Sequence, residues 1–214
     1  MKKIMLFYLT LMFLINSETL GNSINQTPNG ISVVVIDPGH GGRDPGAVSG
    51  RAQEKGIVLD IALKLGNYIK TDFPEIKIIY TRNSDIFIPL YQRAEIANKN
   101  NADLFISIHG NSVAESTDST KINGLTVWYK NVSSKHFADF IFNRLYDINP
   151  LTNRAKNTNQ SNALAVIRPY WTPSVIIETS FITNIDDFSW MIRESEQDKL
   201  ADAIANGIVD YYRN

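Results

Sequence analysis

Cysteine is absent from all 214 residues, which excludes a disulfide framework, a thiolate metal site and a cysteine nucleophile together. Histidine is scarce: His40, His109 and His136 are the only three. A basic excess is missing as well, with 21 Lys and Arg against 22 Asp and Glu and a formal net charge of −1. No nucleic-acid partner is expected from that balance, because such proteins carry a clear positive surplus. The apolar stretch near the start, Ile4–Ile15, has 12 residues, well short of the roughly 20 that a spanning helix needs. No H-E-x-x-H pattern occurs, so any metal site has to be assembled from separate loops. What is present is ordinary for a globular protein, 43 % hydrophobic and 20 % charged, and a chain this long can bury a core without staples. Its chemistry must rest on histidine, carboxylates, hydroxyls or amides.

Lys2 and Lys3 followed by the short apolar run have the layout of a secretory signal, and residues 1–21 are expected to be one. No small-x-small triplet marks its cleavage, so an uncleaved anchor is the other reading of the same residues. Residues 22–30 are polar and turn-rich and are expected to form a flexible lead-in. From Ile31 onward, strand-like and helix-like segments alternate. Apolar, β-branched runs predict strands at Ser32–Ile36, Ile76–Tyr80, Leu104–Ile108, Leu125–Tyr129, Ala163–Ile167 and Val175–Ile177. Stripes at helical spacing predict helices over Glu54–Lys70, Pro89–Asn98 with Pro89 at the first position, and Ser134–Ile148. A last helix starts near Ser195, where Asp198 suggests a partial capping box. This order describes a single α/β domain: a twisted, mostly parallel sheet of about six strands flanked by helices.

In such a sheet, ligands bind beyond the carboxyl ends of the strands, and three of those ends carry unusual residues. The first strand runs into Asp37-Pro38-Gly39-His40-Gly41-Gly42, the third into His109-Gly110-Asn111, and Val175–Ile177 into Glu178. Glu54 opens the helix after the His40 loop. Two histidines with two carboxylates make the inventory of a mononuclear zinc hydrolase: three ligands, an open position for water and a carboxylate to move its proton. Spacing alone does not assign these roles. A histidine at a strand end is more often a hydrogen-bonded structural residue, and Glu54 could simply favour its helix dipole. Glu178 has the fewest plain explanations, since an unpaired carboxylate beside a core is costly. The glycine-rich loop fits neither phosphate-binding pattern, and His136 lies off its helical stripe and is expected on the surface.

The segments VVVIDPGHGGRDPGA (Val33–Ala47), QEK around Glu54, YTRNSDIFIPLYQRAEIANKNNADLFISIHGNS (Tyr80–Ser112) and IIETSFITN (Ile176–Asn184) follow one another in order. With them the chain resembles the zinc-dependent N-acetylmuramoyl-L-alanine amidases that cleave bacterial peptidoglycan. The resemblance runs from Ile31 to about Tyr212 and implies one zinc amidase catalytic domain over residues 31–214. It implies that His40, Glu54 and His109 are the ligands of a single Zn2+ and that Glu178 is the catalytic carboxylate. The implied reaction is hydrolysis of the amide between the lactyl group of N-acetylmuramic acid and the L-alanine of the stem peptide. Peptidoglycan is then the partner, and an exported protein of the periplasm or cell envelope, tethered if its leader is kept, is the implied location. Whether a protein activator takes part, and the oligomeric state, are left open.

Two positions depart from the pattern: Ser180 stands where the family more often has glycine, and Gly110 where it often has alanine. No wall-anchoring module and no long inhibitory helical insert is expected beside these motifs, so wall binding is expected to fall to the catalytic groove. The polar stretch Val113–Asn123 is expected to border that groove. Three other readings use the same residues: a zinc peptidase for a different amide, a serine hydrolase pairing Ser180 with His109, and a wall-binding module without activity. The serine reading lacks a G-x-S-x-G elbow.

Overall fold

Residues 33–38 read Val-Val-Val-Ile-Asp-Pro and form the strand β1, second from one edge of a six-stranded sheet. The computed structural model describes residues 30–50, 52–114, 117–149, 158–167 and 172–213. The expected leader at 1–21 and the lead-in up to residue 29 lie outside the described residues. After β1 come a two-stranded hairpin, β2 (Val48–Ser49) and β3 (Ala52–Gln53), and the helix α1 (Glu54–Asp72). Then follow β4 (Lys77–Tyr80), α2 (Leu90–Lys99), β5 (Leu104–Asn111), β6 (Thr126–Tyr129) and α3 (Val132–Ile148). The chain finishes with β7 (Thr158–Gln160), β8 (Ser174–Phe181), α4 (Ile185–Met191) and α5 (Glu194–Arg213). The sheet order is β4-β1-β5-β8-β6-β7. Every neighbouring pair is parallel except β8 with β6, which is the mostly parallel α/β architecture expected.

Strand periodicity sends alternate side chains to opposite faces. Val34 and Ile36 of β1, Leu104, Ile106 and Ile108 of β5, and Val175 and Ile177 of β8 point to one face. There they join Ile61 and Leu65 of α1, Phe137 and Ile141 of α3, and Leu200 and Ile204 of α5 in a large buried cluster. Each such side chain stabilises the fold by about 1.5–3 kcal/mol relative to exposure. Val35, Phe105 and Ile176 point the other way and meet a smaller cluster with Ala94 and Ala97 of α2 and with Val166 and Ile167.

Several expectations need correction. The run Ala163–Ile167 is not a strand; it turns on itself, with Ile167 N–H donating to the Leu164 carbonyl at 3.3 Å. The neighbouring strand is Thr158–Gln160, a polar segment paired with β6. Val166 and Ile167 are buried all the same, so the apolar run reported burial and not extended backbone. Pro89 is not the first helical residue but the cap of α2, its carbonyl accepting the N–H groups of Gln92 and Arg93. α5 starts one residue before Ser195, and Asp198 pairs with Lys64 of α1 at 2.6 Å instead of closing a capping box. α4 was not expected: seven residues are too few to show a period, and its signal is Asn184, whose side chain accepts the N–H groups of Asp186 and Asp187. Finally, β5 and β8 run on past Ile108 and Ile177, so His109 and Glu178 lie within strands and not just beyond them.

Candidate metal centre

The loop that leaves β1 carries His40, the helix α1 opens with Glu54, and β5 carries His109. Their ligand atoms, one from each side chain, lie within 4.8 Å of one another. Glu54 sits at the centre. Its Oε1 is 2.9 Å from His40 Nε2 and 3.2 Å from His109 Nδ1, and its residue is only 3 % exposed. Main-chain donors finish the job of fixing it: the Gly110 N–H reaches Oε1 and the Ala47 N–H reaches Oε2, both at 2.9 Å. The two histidine side chains keep 22 % and 21 % of their surface, so the cluster is rooted in the protein but open on one side.

Local sequence explains how three distant segments meet. The hairpin of β2 and β3 turns the chain back so that the Glu54 N–H donates to the Ala47 carbonyl at 2.9 Å. Gly46 makes this possible. It lies at φ +67°, and a Cβ there would come within 2.6 Å of Glu54 Oε2 and 2.8 Å of His40 Cδ2. Gly39 serves the other histidine, since a Cβ on it would sit 2.3 Å from the His109 ring. With the glycine in place the two imidazoles meet edge to face, centroids 5.0 Å apart. Asp44 holds His40 from behind, its Oδ2 being 3.0 Å from His40 Nδ1. A carboxylate there fixes the ring orientation and leaves the opposite nitrogen facing Glu54.

Glu178 is brought beside this cluster by strand register. His109 of β5 and Glu178 of β8 are direct partners across a parallel pair, and successive residues on that face are two apart. Both line one cavity of about 500 Å³ together with His40 and Asp44. Phe87, Ile88 and Leu90 ahead of and within α2, and Leu164, Ala165 and Val166 in the turn, give the cavity its apolar lining. Val113–Asn123, expected at this groove, is not among the cavity's described lining residues. Val113 and Ser119 are fastened instead toward the start of α4, where Thr183 Oγ1 accepts the Val113 N–H and Asn184 donates to the Ser119 carbonyl.

The electrostatics separate the two glutamates. Burial alone would favour a neutral Glu54, but hydrogen bonds and charge from His109 and His40 outweigh it and hold its carboxyl far below the usual carboxylate range. Burial likewise works against a charged His40, yet Glu54 and Asp44 raise it above its ordinary value. For Glu178 burial wins: it pushes the carboxyl up, with Glu54 adding to the shift while His109 and His40 oppose it. Among the described residues Glu178 Oε2 is buried without a hydrogen-bond partner, the arrangement expected of a group kept for a reactant.

A zinc ion fits this donor set. Two imidazoles and one carboxylate are its usual ligands in open, reactive sites, and bonds of about 2.0–2.2 Å put tetrahedral ligand atoms roughly 3.3–3.6 Å apart. The separations around Glu54 Oε1 are already close to that. Ser180 does not enter. Its hydroxyl is buried and, among the described residues, bonded to nothing, while His109 Nδ1 faces Glu54, so a serine–histidine pair is not formed. His136 is exposed on α3 against the rings of Phe140 and Tyr211, away from the cluster. Asp44 was missed by the sequence reading, although its position four residues after His40 in a glycine-rich loop was the available signal.

Known proteins resemble this chain throughout the described domain. The family model described as N-acetylmuramoyl-L-alanine amidase matches residues 34–210. The amidase LytC of Bacillus subtilis is 35 % identical over 88 % of this chain, which spans only 38 % of LytC. The amidase AmiA of Escherichia coli is 32 % identical over 86 % of this chain and 77 % of its own length. Among solved structures, the catalytic domain of CwlV from Bacillus (Paenibacillus) polymyxa superposes with a TM-score of 0.77 at 34 % identity, covering 85 % of this chain and 98 % of that one. The CwlD amidase of Clostridioides difficile, solved in complex with the GerS lipoprotein, gives 0.77 at 28 % identity over 84 % of this chain and 98 % of its own. Motif order, sheet topology and these matches lead to one conclusion: the chain belongs to the N-acetylmuramoyl-L-alanine amidase family.

Proposed function

We propose that this chain hydrolyses the amide joining the lactyl group of N-acetylmuramic acid to the L-alanine of the peptidoglycan stem peptide, with one zinc ion held by His40, Glu54 and His109. The observation that carries the reading is the pairing of a fixed His-Glu-His cluster with an unpartnered carboxylate on the neighbouring strand. Bound there, zinc supplies Lewis acidity, polarising the amide carbonyl and making water acidic enough to attack at neutral pH. Glu178 takes the proton of the attacking water at Oε2 and hands it to the departing alanine nitrogen. Its raised pKa suits the second half of that task, because a carboxyl that holds its proton more firmly survives long enough to act as an acid. Asp44 keeps the His40 ring from rotating, and the apolar lining of the cavity excludes competing water from the reacting bond. The substrate lies outside the cytoplasmic membrane, which agrees with a leader at residues 1–21 and export to the cell envelope. No helix among the described residues is long and apolar enough to cross a membrane.

The test is digestion of purified peptidoglycan by the full chain, with and without chelator, read by mass spectrometry for stem peptides with a newly free L-alanine amino terminus. Those products are expected, and chelator is expected to abolish them. Glu178→Ala should keep one zinc per chain and lose about 10²–10⁴-fold in turnover. Cleavage inside the stem peptide would retain the metal centre and overturn the substrate. Near wild-type turnover in Glu178→Ala would overturn its role as base. If zinc is bound but nothing is released, repeating the digestion with envelope lipoproteins added separates a need for an activator from a binding role.

A further inference from the structure

Three consecutive main-chain carbonyls, those of Pro38, Gly39 and His40, converge on two guanidinium groups. Arg82 follows β4 and Arg93 lies on α2, and each is only 2 % exposed. Arg82 donates from Nε to the Pro38 carbonyl at 3.0 Å and from Nη1 to the Ser84 carbonyl at 3.1 Å. Its Nη2 reaches two carbonyls at once, Gly39 at 2.6 Å and Lys55 at 2.7 Å. Arg93 donates from Nη1 to the Pro38 carbonyl and to Asp37 Oδ1, both at 2.7 Å, and from Nη2 to the His40 carbonyl at 2.6 Å.

Burying one guanidinium costs free energy, and burying two side by side costs more. Burial and the neighbouring Arg93 lower the pKa of Arg82, the direction expected when a cation is held where it is poorly solvated. A cost of this kind calls for a return. The bonds of Arg82 show where it is spent, since Gly39 immediately precedes one candidate ligand, His40, and Lys55 immediately follows another, Glu54. One nitrogen of one side chain therefore ties the loop of β1 to the first turn of α1 at the point where their ligands meet. Arg93 acts on the same loop from the other side. His40 has φ +60°, a backbone conformation that residues with a Cβ adopt at a cost, and Arg93 bonds the carbonyl of that very residue.

We propose that Arg82 and Arg93 are positioning residues for the metal centre: Arg82 sets the separation of His40 from Glu54 before any ion binds, and Arg93 holds His40 in its left-handed backbone conformation. The inference rests on the reading of His40, Glu54 and His109 as zinc ligands. A pair that merely stabilised the fold would lower the melting temperature and leave the affinity of the folded chain for zinc unchanged. A positioning pair weakens zinc binding by molecules that are still folded.

The full chain, stripped of metal, is titrated with zinc against a chelator of known affinity at a temperature well below the melting transition. Arg82→Lys keeps the charge but offers a point donor that cannot reproduce the planar fork. Its dissociation constant for zinc should rise by about 10- to 100-fold, the range seen when groups that orient metal ligands are removed. Cobalt substituted for zinc should show a shifted visible spectrum, a readout that fold stability does not move. A zinc affinity within threefold of wild type, alongside a lowered melting temperature, overturns the inference. Should Arg82→Lys not fold, Arg93→Lys carries the same test, since it loosens the His40 carbonyl and leaves the Arg82 bridge in place; weaker zinc binding supports the inference and unchanged binding overturns it. If the wild-type chain binds no zinc, the metal reading itself fails, an outcome distinct from a variant that matches wild type.

Discussion

The two faces of the sheet are built from the same strands and do opposite work. On one face, covered by α1, α3 and α5, the inward positions Ile36, Ile106, Ile108 and Ile177 are aliphatic to the ends of the strands. On the other, covered by α2 and the 163–167 turn, the same strands begin apolar, with Val35, Phe105 and Ile176. They then turn polar, with Asp37, Ser107, His109 and Glu178. The strand period of two is what divides the labour. A single strand such as β5 can contribute Ile106 and Ile108 to the core while presenting Ser107 and His109 to the site. The three-helix face thus supplies stability, and the thinner face, propped by fewer elements, holds the cavity. Function is legible here as a break in a pattern: where alternate positions of a buried strand change from aliphatic to polar, the covering layer has given way to a site.

The sharpest way to test that division is to damage each face and measure stability and zinc affinity separately. Asp37 is the polar anchor of the thin face. It is fully buried, and it accepts from Thr81 and, at 2.7 Å each, from Arg93 and Ser107. Asp37→Ala leaves the Arg93 guanidinium buried without its carboxylate, a loss of about 3–5 kcal/mol in denaturant unfolding. The folded fraction should also bind zinc more weakly, because Arg93 holds the His40 carbonyl. Leu65 is its counterpart on the thick face, fully buried on α1 about three turns beyond Glu54. Leu65→Ala should cost about 2–5 kcal/mol and leave zinc affinity as it was. Equal effects on affinity from both substitutions would mean that the faces are not separate, and that the metal centre simply reports global stability.

How much of this was readable beforehand follows the same division. The strands of the thick-face core and the helices that cover them announce themselves by period, and β1, α1, α3 and α5 lie within a few residues of their expected places. His40, Glu54, His109 and Glu178 were also visible, because each is a chemically reactive side chain placed where a strand or helix boundary is expected, in motifs of recognisable order. What was not readable depends on three-dimensional partners. Asp37 and Arg93 are separated by 55 residues of loop, helix and strand, and nothing in either neighbourhood shows that the guanidinium will donate both to that carboxylate and to the carbonyls of Pro38 and His40. The Ala163–Ile167 run was misread because hydrophobicity reports burial, and a buried turn and a buried strand bury the same residues. Glu178 was placed at a strand end for a related reason: the strand continues through Thr179, Ser180 and Phe181, whose mixed character hides the extension.

The smallest expected effect separates the faces by pH. Tyr212, near the end of α5, packs against the edge of the thick-face cluster and meets the Tyr211 ring edge-on, with centroids 4.9 Å apart. Burial first, then the neighbouring Tyr211 and Asp103, push its phenol up to about 12. An unfolded tyrosine ionises near 10. Between those two values the unfolded chain has released this proton while the folded chain still holds it, so the unfolded state binds fewer protons and stability falls as pH rises. Below about pH 10 both states hold the proton and the group is silent. Tyr212→Phe keeps the ring contact and removes the titration. Its stability should therefore decline less steeply than wild type between pH 10 and 12, a residual slope remaining from Tyr211, whose phenol burial also raises. Zinc affinity at neutral pH should not change. Superimposable alkaline unfolding curves would show that Tyr212 is solvated in the folded chain, and that the edge of the three-helix face is looser than its interior.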